Sequence, residues 1–419
     1  MSNLRKFSLP YLLSAAALGV IVTGCGSTET AASTAAPPQP QASAPDLATT
    51  VHPPWQTALH LADAPRLDAP ALHPRPNGWL AAWASSDADM TFHVVQGIRA
   101  DGTPAEPVQL PVIARFPQAH RIIPAAAGGT HLVWLDANPD IITDGLRLWT
   151  LRLDENLNSA RGAFILSDSA TYHYTALPGT DGGLWTFWTS GPRREPTLYA
   201  RQVDAEGRPL ETITLASSVE WPSVTVRPDG TVRIAWIGSP DGGLYLADFI
   251  SGQVRNRQRV GRVPPLDPAA YVTGFWLASD SVYTYALWAI TGRDGASRVW
   301  ISGAPHDSSI WPEPLPLEVP IDGLLQPVTR VSPVNQPVDA RPDQVLLAAE
   351  VAEALGVLIL DSGQITGWEA AVTLPPPGLI GTPSAAQLAD DRLLLSWSQP
   401  DTTETAQLMI TLRPGLNRP

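Results

Sequence analysis

Apolar residues along this chain come in short runs bounded by tight-turn pairs, and the pattern recurs. The stretch 222–260 shows it best. Val224 and Val226 alternate with polar neighbours, and the hairpin signal Asp229-Gly230 follows. Residues 231–237 form an apolar run rich in Val, Ile and Trp. Asp241-Gly242-Gly243 turns into 244–249, and Gly252 turns into 253–260, where polar residues alternate. Period-two runs separated by turn pairs predict four antiparallel strands. The stretch 184–215 repeats the scheme, with the turn Asp204-Ala205-Glu206-Gly207 between its later strands.

A tryptophan recurs on the apolar strand just after each turn pair. Trp83, Trp134, Trp188, Trp236, Trp288 and Trp397 are separated by 51, 54, 48, 52 and 109 residues. The last gap spans about two periods. The missing unit fits residues 344–351 after Pro342-Asp343, with Ala348 or Ala349 in the place of Trp. Seven four-stranded units of this length predict an all-β fold, a single seven-bladed β-propeller. Each blade alone would expose two faces. Stacking around an axis buries both, which explains consecutive apolar positions such as Leu132-Val133-Trp134-Leu135. The seventh unit supplies only three strands (383–388, 392–397 and 406–412), so residues 55–62 are expected to complete it as its outer strand. The irregular, Pro-rich stretch 303–341 leaves six or eight blades open, and a pair of β-sandwiches is the competing architecture.

The N-terminus reads differently. Arg5 and Lys6 precede an apolar run, residues 9–22, that ends in Val22-Thr23-Gly24-Cys25. This is the pattern of a secretory signal peptide. Its last four residues resemble the lipobox of bacterial lipoproteins. The resemblance implies cleavage before Cys25, acylation of Cys25, and a protein held by fatty-acyl chains on the outer side of a bacterial cytoplasmic or outer membrane. Residues 25–53 are built mainly from Ala, Ser, Thr, Pro, Gln and Gly, the composition of a flexible tether. The expected organisation is thus leader 1–24, lipidated tether 25–53 and propeller 54–419.

Composition narrows the function classes. The 419 residues carry 27 basic and 40 acidic side chains, a net charge of −13, and loss of Arg5 and Lys6 with the leader makes it more negative. An acidic surface repels nucleic acid, so no nucleic-acid partner is expected. Cys25 is the only cysteine, so no disulfide framework exists, and Lys6 is the only lysine, so the mature chain holds no Lys for a phosphate loop or a Schiff base.

Candidate chemistry is sparse. Asp136, Asp140 and Asp144 share one stretch and would suit Ca²⁺, which takes several oxygen ligands, although the spacing of a known calcium loop is missing. Otherwise no cofactor is expected. Arg255, Arg257 and Arg259 alternate, so they point to one face of an outer strand, where they could bind a sulfated or phosphorylated polymer. Edge protection explains the same pattern. Trp221, Trp311 and Trp368 sit beside predicted turns and could stack on sugars. No His-Glu-x-x-His or Gly-x-Ser-x-Gly motif is present, and no catalytic residue is assigned.

Over residues 55–414 the repeats resemble those of secreted sialidase-like (BNR-type) propellers. Arg227-Pro228-Asp229-Gly230 before a Trp strand, and Leu198-Tyr199-Ala200-Arg201-Gln202-Val203 before Asp204-Ala205-Glu206-Gly207, carry the likeness. The Asp-boxes of sialidases are absent, with Thr291-Gly292-Arg293-Asp294-Gly295 slipped by one position. Arg121-Ile122-Ile123-Pro124 departs by one residue from the sialidase Arg-Ile-Pro. The resemblance implies the architecture and no catalytic residue. The expected function is a lipid-anchored binding or scaffold module for a glycan, an envelope polymer or a protein partner. The alternative is a propeller glycoside hydrolase.

Overall fold

The computed structural model describes residues 54–65, 69–87, 90–137, 145–159, 161–264, 269–337, 343–376, 378–401 and 405–415. Cys25, Asp140 and Asp144 lie outside them, as do the leader and all of the tether. The described residues form seven antiparallel sheets that follow one another along the chain. Their first strands are Ala71–Arg75, Gln118–Pro124, Thr171–Pro178, Val219–Val226, Tyr271–Ser279, Leu324–Pro333 and Ile380–Gln387. Each of these inner strands packs against the next, and the seventh packs against the first. The molecule is a seven-bladed β-propeller.

The seventh blade is built from both ends of the described chain. Leu59–Pro65 pairs antiparallel with Thr405–Arg413 as the outermost strand. Ahead of it, the Gln56 amide donates to the Leu412 carbonyl at 2.8 Å, and the Thr411 hydroxyl donates to the Gln56 carbonyl. The expected closure is present, a few residues further along than 55–62.

Seven apolar clusters fill the seven seams between blades. In six seams the recurring Trp of the second strand is a buried member that faces the preceding blade. A tryptophan fills a wide wedge without needing a long side chain from either neighbour. In blade 6 Ala349 takes that place, opposite Gly356. The fifth blade compensates: Trp276, Tyr283 and Tyr285 fill this seam from the other side, and Trp368 packs on it from the outer strand of blade 6.

Two irregularities interrupt the repeat, both within the Pro-rich stretch. Glu318–Ile321 adds a fifth strand to blade 6. It pairs only with Leu324–Pro327, ahead of the point where the inner strand meets Val345–Val351. The hairpin turns at Asp322 and Gly323, with φ of 51° and 78°, and exposes Leu324 and Leu325. Further on, Asn335 bridges Ala386 in parallel on the free inner edge of blade 7. Its amide donates to the Ala385 carbonyl, its carbonyl accepts from Gln387, and its side chain donates to the Leu72 carbonyl of blade 1. One segment of blade 6 thus straps blades 7 and 1 together at the axis.

Candidate functional site

All seven inner strands run in the same direction through the disc. Their N-terminal ends therefore share one face, and the turns into the second strands share the other. In blades 2 to 7 the pairing of inner and second strands slips near the N-terminal end. The slips lie between Gln118 and Arg121, Thr171 and His173, Glu220 and Ser223, Val272 and Gly274, Val328 and Arg330, and Ile380 and Ser384. An extra residue in a strand frees its backbone from the ladder and re-aims side chains, which is why bulges gather at functional sites. Two bulge residues, Ala119 and Trp221, hold φ of 51° and 53°, a region that non-glycine residues rarely adopt.

The bulges of blades 2, 3 and 4 bring polar and aromatic groups onto one arc. In blade 2, His120 Nε2 lies 2.9 Å from His93 Nδ1, and His93 packs on Trp134. Arg121 sits over the Tyr174 ring at 5.5 Å, while the Tyr174 hydroxyl donates to the Ala119 and Val133 carbonyls. In blade 3, His173 stacks on Trp221 of blade 4 with ring centres 3.6 Å apart. The Tyr172 hydroxyl donates to the Gly191 carbonyl. In blade 4, burial raises the pKa of Glu220, and a hydrogen bond from the Ser239 hydroxyl opposes the shift. Exposed Phe116 and Tyr271 flank the arc on the same face. Across the ring Arg330 pairs with Glu350 at 3.5 Å.

The imidazoles of this arc are neutral. Burial pushes His120 and His173 down to about 4, and burial with the neighbouring His120 pushes His93 to about 2. Away from the arc, His73 and His131 are also held at about 4, by burial and nearby arginines. Each group is neutral when folded and takes up a proton near pH 6.5 when unfolded. Its stabilising contribution is complete above pH 6.5 and is lost as pH falls toward the folded value. Asp136 and Glu220, raised by burial, act in the opposite sense and offset part of the loss. Thermal unfolding across pH is expected to show a plateau above pH 7 and a steep fall between about 6.5 and 4.5. A flat profile through that window would contradict the buried imidazoles.

The residues singled out by sequence distribute unevenly. Asp136 is buried, and its carboxylate accepts from the amides of Arg115, Phe116 and Ala137. It latches the loop entering blade 2. No group of three or more metal-binding side chains occurs among the described residues. The three arginines do not share a face. A bulge at Asn256, with φ of 53°, breaks the alternation. Arg259 pairs with Tyr245 and Arg257 covers Trp236 and Tyr245 at 5.4 and 5.0 Å, on the side of blade 3. Arg255 pairs with Asp248 and points to the opposite side. Of the three tryptophans, Trp311 is buried in the seam between blades 4 and 5 and Trp368 packs in the next seam. Trp221 alone belongs to the arc. His120 and Glu220 carried no sequence signal, because a register slip leaves no mark in hydrophobic patterning, and Arg121 stood out only in the displaced Arg121-Ile122-Ile123-Pro124.

No protein-family model matches the sequence, and no curated protein is detectably similar to it. Solved structures are similar in fold. The polysaccharide lyase Uly1 superposes with a TM-score of 0.54 at 9% identity, over 83% of this chain and 90% of that one. A PL25 ulvan lyase bound to -[GlcA(1-4)Rha3S]- gives 0.53 at 10%, over 83% and 94%. A protein of unknown function from Dyadobacter fermentans gives 0.50 at 11%, over 85% and 98%. At these identities the likeness establishes the propeller and leaves its chemistry to be argued from this chain's residues.

Proposed function

We propose that this protein is an envelope-bound, glycan-binding propeller, tethered through lipid on Cys25, whose bulged face receives an acidic polysaccharide at the arc of blades 2 to 4. The observation that carries the reading is the set of strand bulges that places Arg121, His173 and Trp221 side by side at the N-terminal ends of neighbouring inner strands. Trp221 is held by its stack on His173 and by the seam between blades 4 and 5, and its partly exposed ring would meet a sugar. Arg121 supplies a cation for a uronate or a sulfate. Two of the similar structures are polysaccharide lyases, which fits an acidic glycan as ligand.

The test is a titration with uronic-acid-containing polysaccharides, sulfated and unsulfated, beside neutral glycans. Acidic glycans are expected to bind. Trp221→Ala should weaken them about three- to tenfold through the lost stack, and Arg121→Gln by about tenfold or more. Equal binding of neutral glycans, or no binding at all, would overturn the reading. A second reading is eliminative cleavage, favoured by the neutral imidazoles of His120 and His173 beside Arg121. A neutral imidazole can take the C5 proton next to a uronate carboxylate while a guanidinium stabilises the charge that develops; the C4–O bond then breaks, a C4=C5 double bond forms, and the departing sugar oxygen takes a proton from water. New ultraviolet absorbance from an unsaturated uronate during the titration would establish it. Hydrolysis by paired carboxylates is poorly served by Asp136, which is committed to three backbone amides.

A further inference from the structure

The opposite face of the disc holds a cavity of roughly 410 Å³ near the axis. Its walls come from four places: beside the three that the ring closure brings together, Pro124 ends the inner strand of blade 2. The end of the first inner strand contributes His73 and Arg75, the hairpin turn of blade 7 contributes Leu388, Asp390 and Arg392, and Pro337 follows the Asn335 strap. The volume lies at the small end of the range for ligand sites.

Among the described residues, the charges around the cavity do not cancel. Arg392 is fully committed: Nε and Nη2 donate to Asp390, and Nη1 donates to the Ala100 carbonyl. That pair neutralises itself. Arg75 has one partner, the Thr130 hydroxyl at 3.1 Å, and no carboxylate among the described residues. A cation withdrawn from water without a counter-charge costs free energy, and folds rarely retain one with nothing to gain. Burial accordingly lowers the Arg75 pKa, with no carboxylate to oppose it. Beside it His73 is buried and held neutral. A neutral imidazole donates one hydrogen bond and adds no charge. The remaining wall is largely apolar, through proline rings and Leu388.

We propose that this cavity binds a compact organic carboxylate, its charge on Arg75 and its apolar or ring-shaped body against the proline wall. One guanidinium with one neutral donor suits a monoanion, whereas a phosphate dianion would call for further cations. The carboxylate belongs either to a small molecule or to a uronic acid unit, and the probes separate the two. The site is independent of the arc on the bulged face.

The experiment is thermal unfolding and calorimetric titration of the full chain with benzoate, glucuronate, benzyl alcohol and sodium chloride. Benzoate or glucuronate is expected to raise the melting temperature by a few degrees at saturation, and benzyl alcohol and chloride to leave it in place. Response to benzoate alone assigns a small aromatic acid, and response to glucuronate assigns a uronate. Arg75→Gln is expected to unfold no earlier than the parent, since it removes an uncompensated charge, and to bind at least about tenfold more weakly. Ala389→Trp, at an exposed turn position on the cavity wall, should unfold like the parent and lose the response. Absence of any carboxylate response, an equal response to chloride, or a response that survives both substitutions overturns the proposal.

Discussion

Removing residues 54–65 is expected to lower the stability of the whole propeller by at least about 4 kcal/mol, a loss in the exceptional range for a local change. The segment is small, but both seams of blade 7 depend on it. Ala64 is buried between blades 7 and 1, with Leu61 and Ala62 packed beside it. Trp55 and Ala58 pack against the cluster between blades 6 and 7. Without the strand, Thr405–Arg413 becomes an open edge, and both seams of blade 7 lose part of their packing. Denaturant unfolding of the truncated chain measures the loss, and a synthetic peptide of residues 54–65 should restore part of it. A loss under about 1 kcal/mol would mean that the ring closes by other contacts.

The second large effect is expected at Asp280. This carboxylate is 1% exposed and organises the seam in which the second strand carries Ala349 in place of the recurring tryptophan. Its Oδ1 accepts from the amides of Val282 and Tyr283 at 2.7 and 2.6 Å. Its Oδ2 accepts from the Tyr285 hydroxyl and, across the seam, from the Ser362 amide at 3.1 Å. The Gly363 amide completes the network by donating to the Tyr285 oxygen at 2.8 Å. Asp280→Ala leaves four donors without an acceptor and is expected to cost about 3–5 kcal/mol. Tyr285→Phe removes one hydroxyl and should cost about 1–2 kcal/mol. The double substitution should cost less than the sum, because both act on one network. An Asp280→Ala cost below about 1 kcal/mol would show that the aromatic packing alone holds blades 5 and 6 together.

The architecture was legible because it is periodic. A tryptophan after a turn pair recurs at a nearly constant interval, and even its absence could be placed at Ala348 or Ala349. The strand ends at 383–388 and 406–412 showed that the last blade was one strand short. The bulged face was not legible, for a physical reason. Bulges at His120, Tyr172 and Trp221 come from register, which is a relation between two strands, and a hydrophobic pattern describes only one. The same blindness affected Arg255, Arg257 and Arg259, whose alternation is real in the sequence and is broken by a single left-handed Asn256. Trp311 looked like a loop residue beside Pro312, yet its amide donates to the Val260 carbonyl and its ring fills a seam. The Asn335 strap and the cavity beyond it depend on contacts with blades 7 and 1, which no local window contains.

The seventh blade also sets a schedule. The Thr411 hydroxyl reaches back 355 residues to Gln56. At synthesis rates of about 5–20 residues per second, the first strand waits roughly 20 to 70 s for its partner to be made. The earlier blades can fold while the chain is still being produced, but the seventh cannot close until Thr405–Arg413 has emerged. During that interval Leu59–Pro65 is a strand with no ladder, and the growing disc ends in an uncovered apolar face. Protection of nascent chains, by delayed release or by a holding factor, is therefore a requirement written into the way this ring is joined.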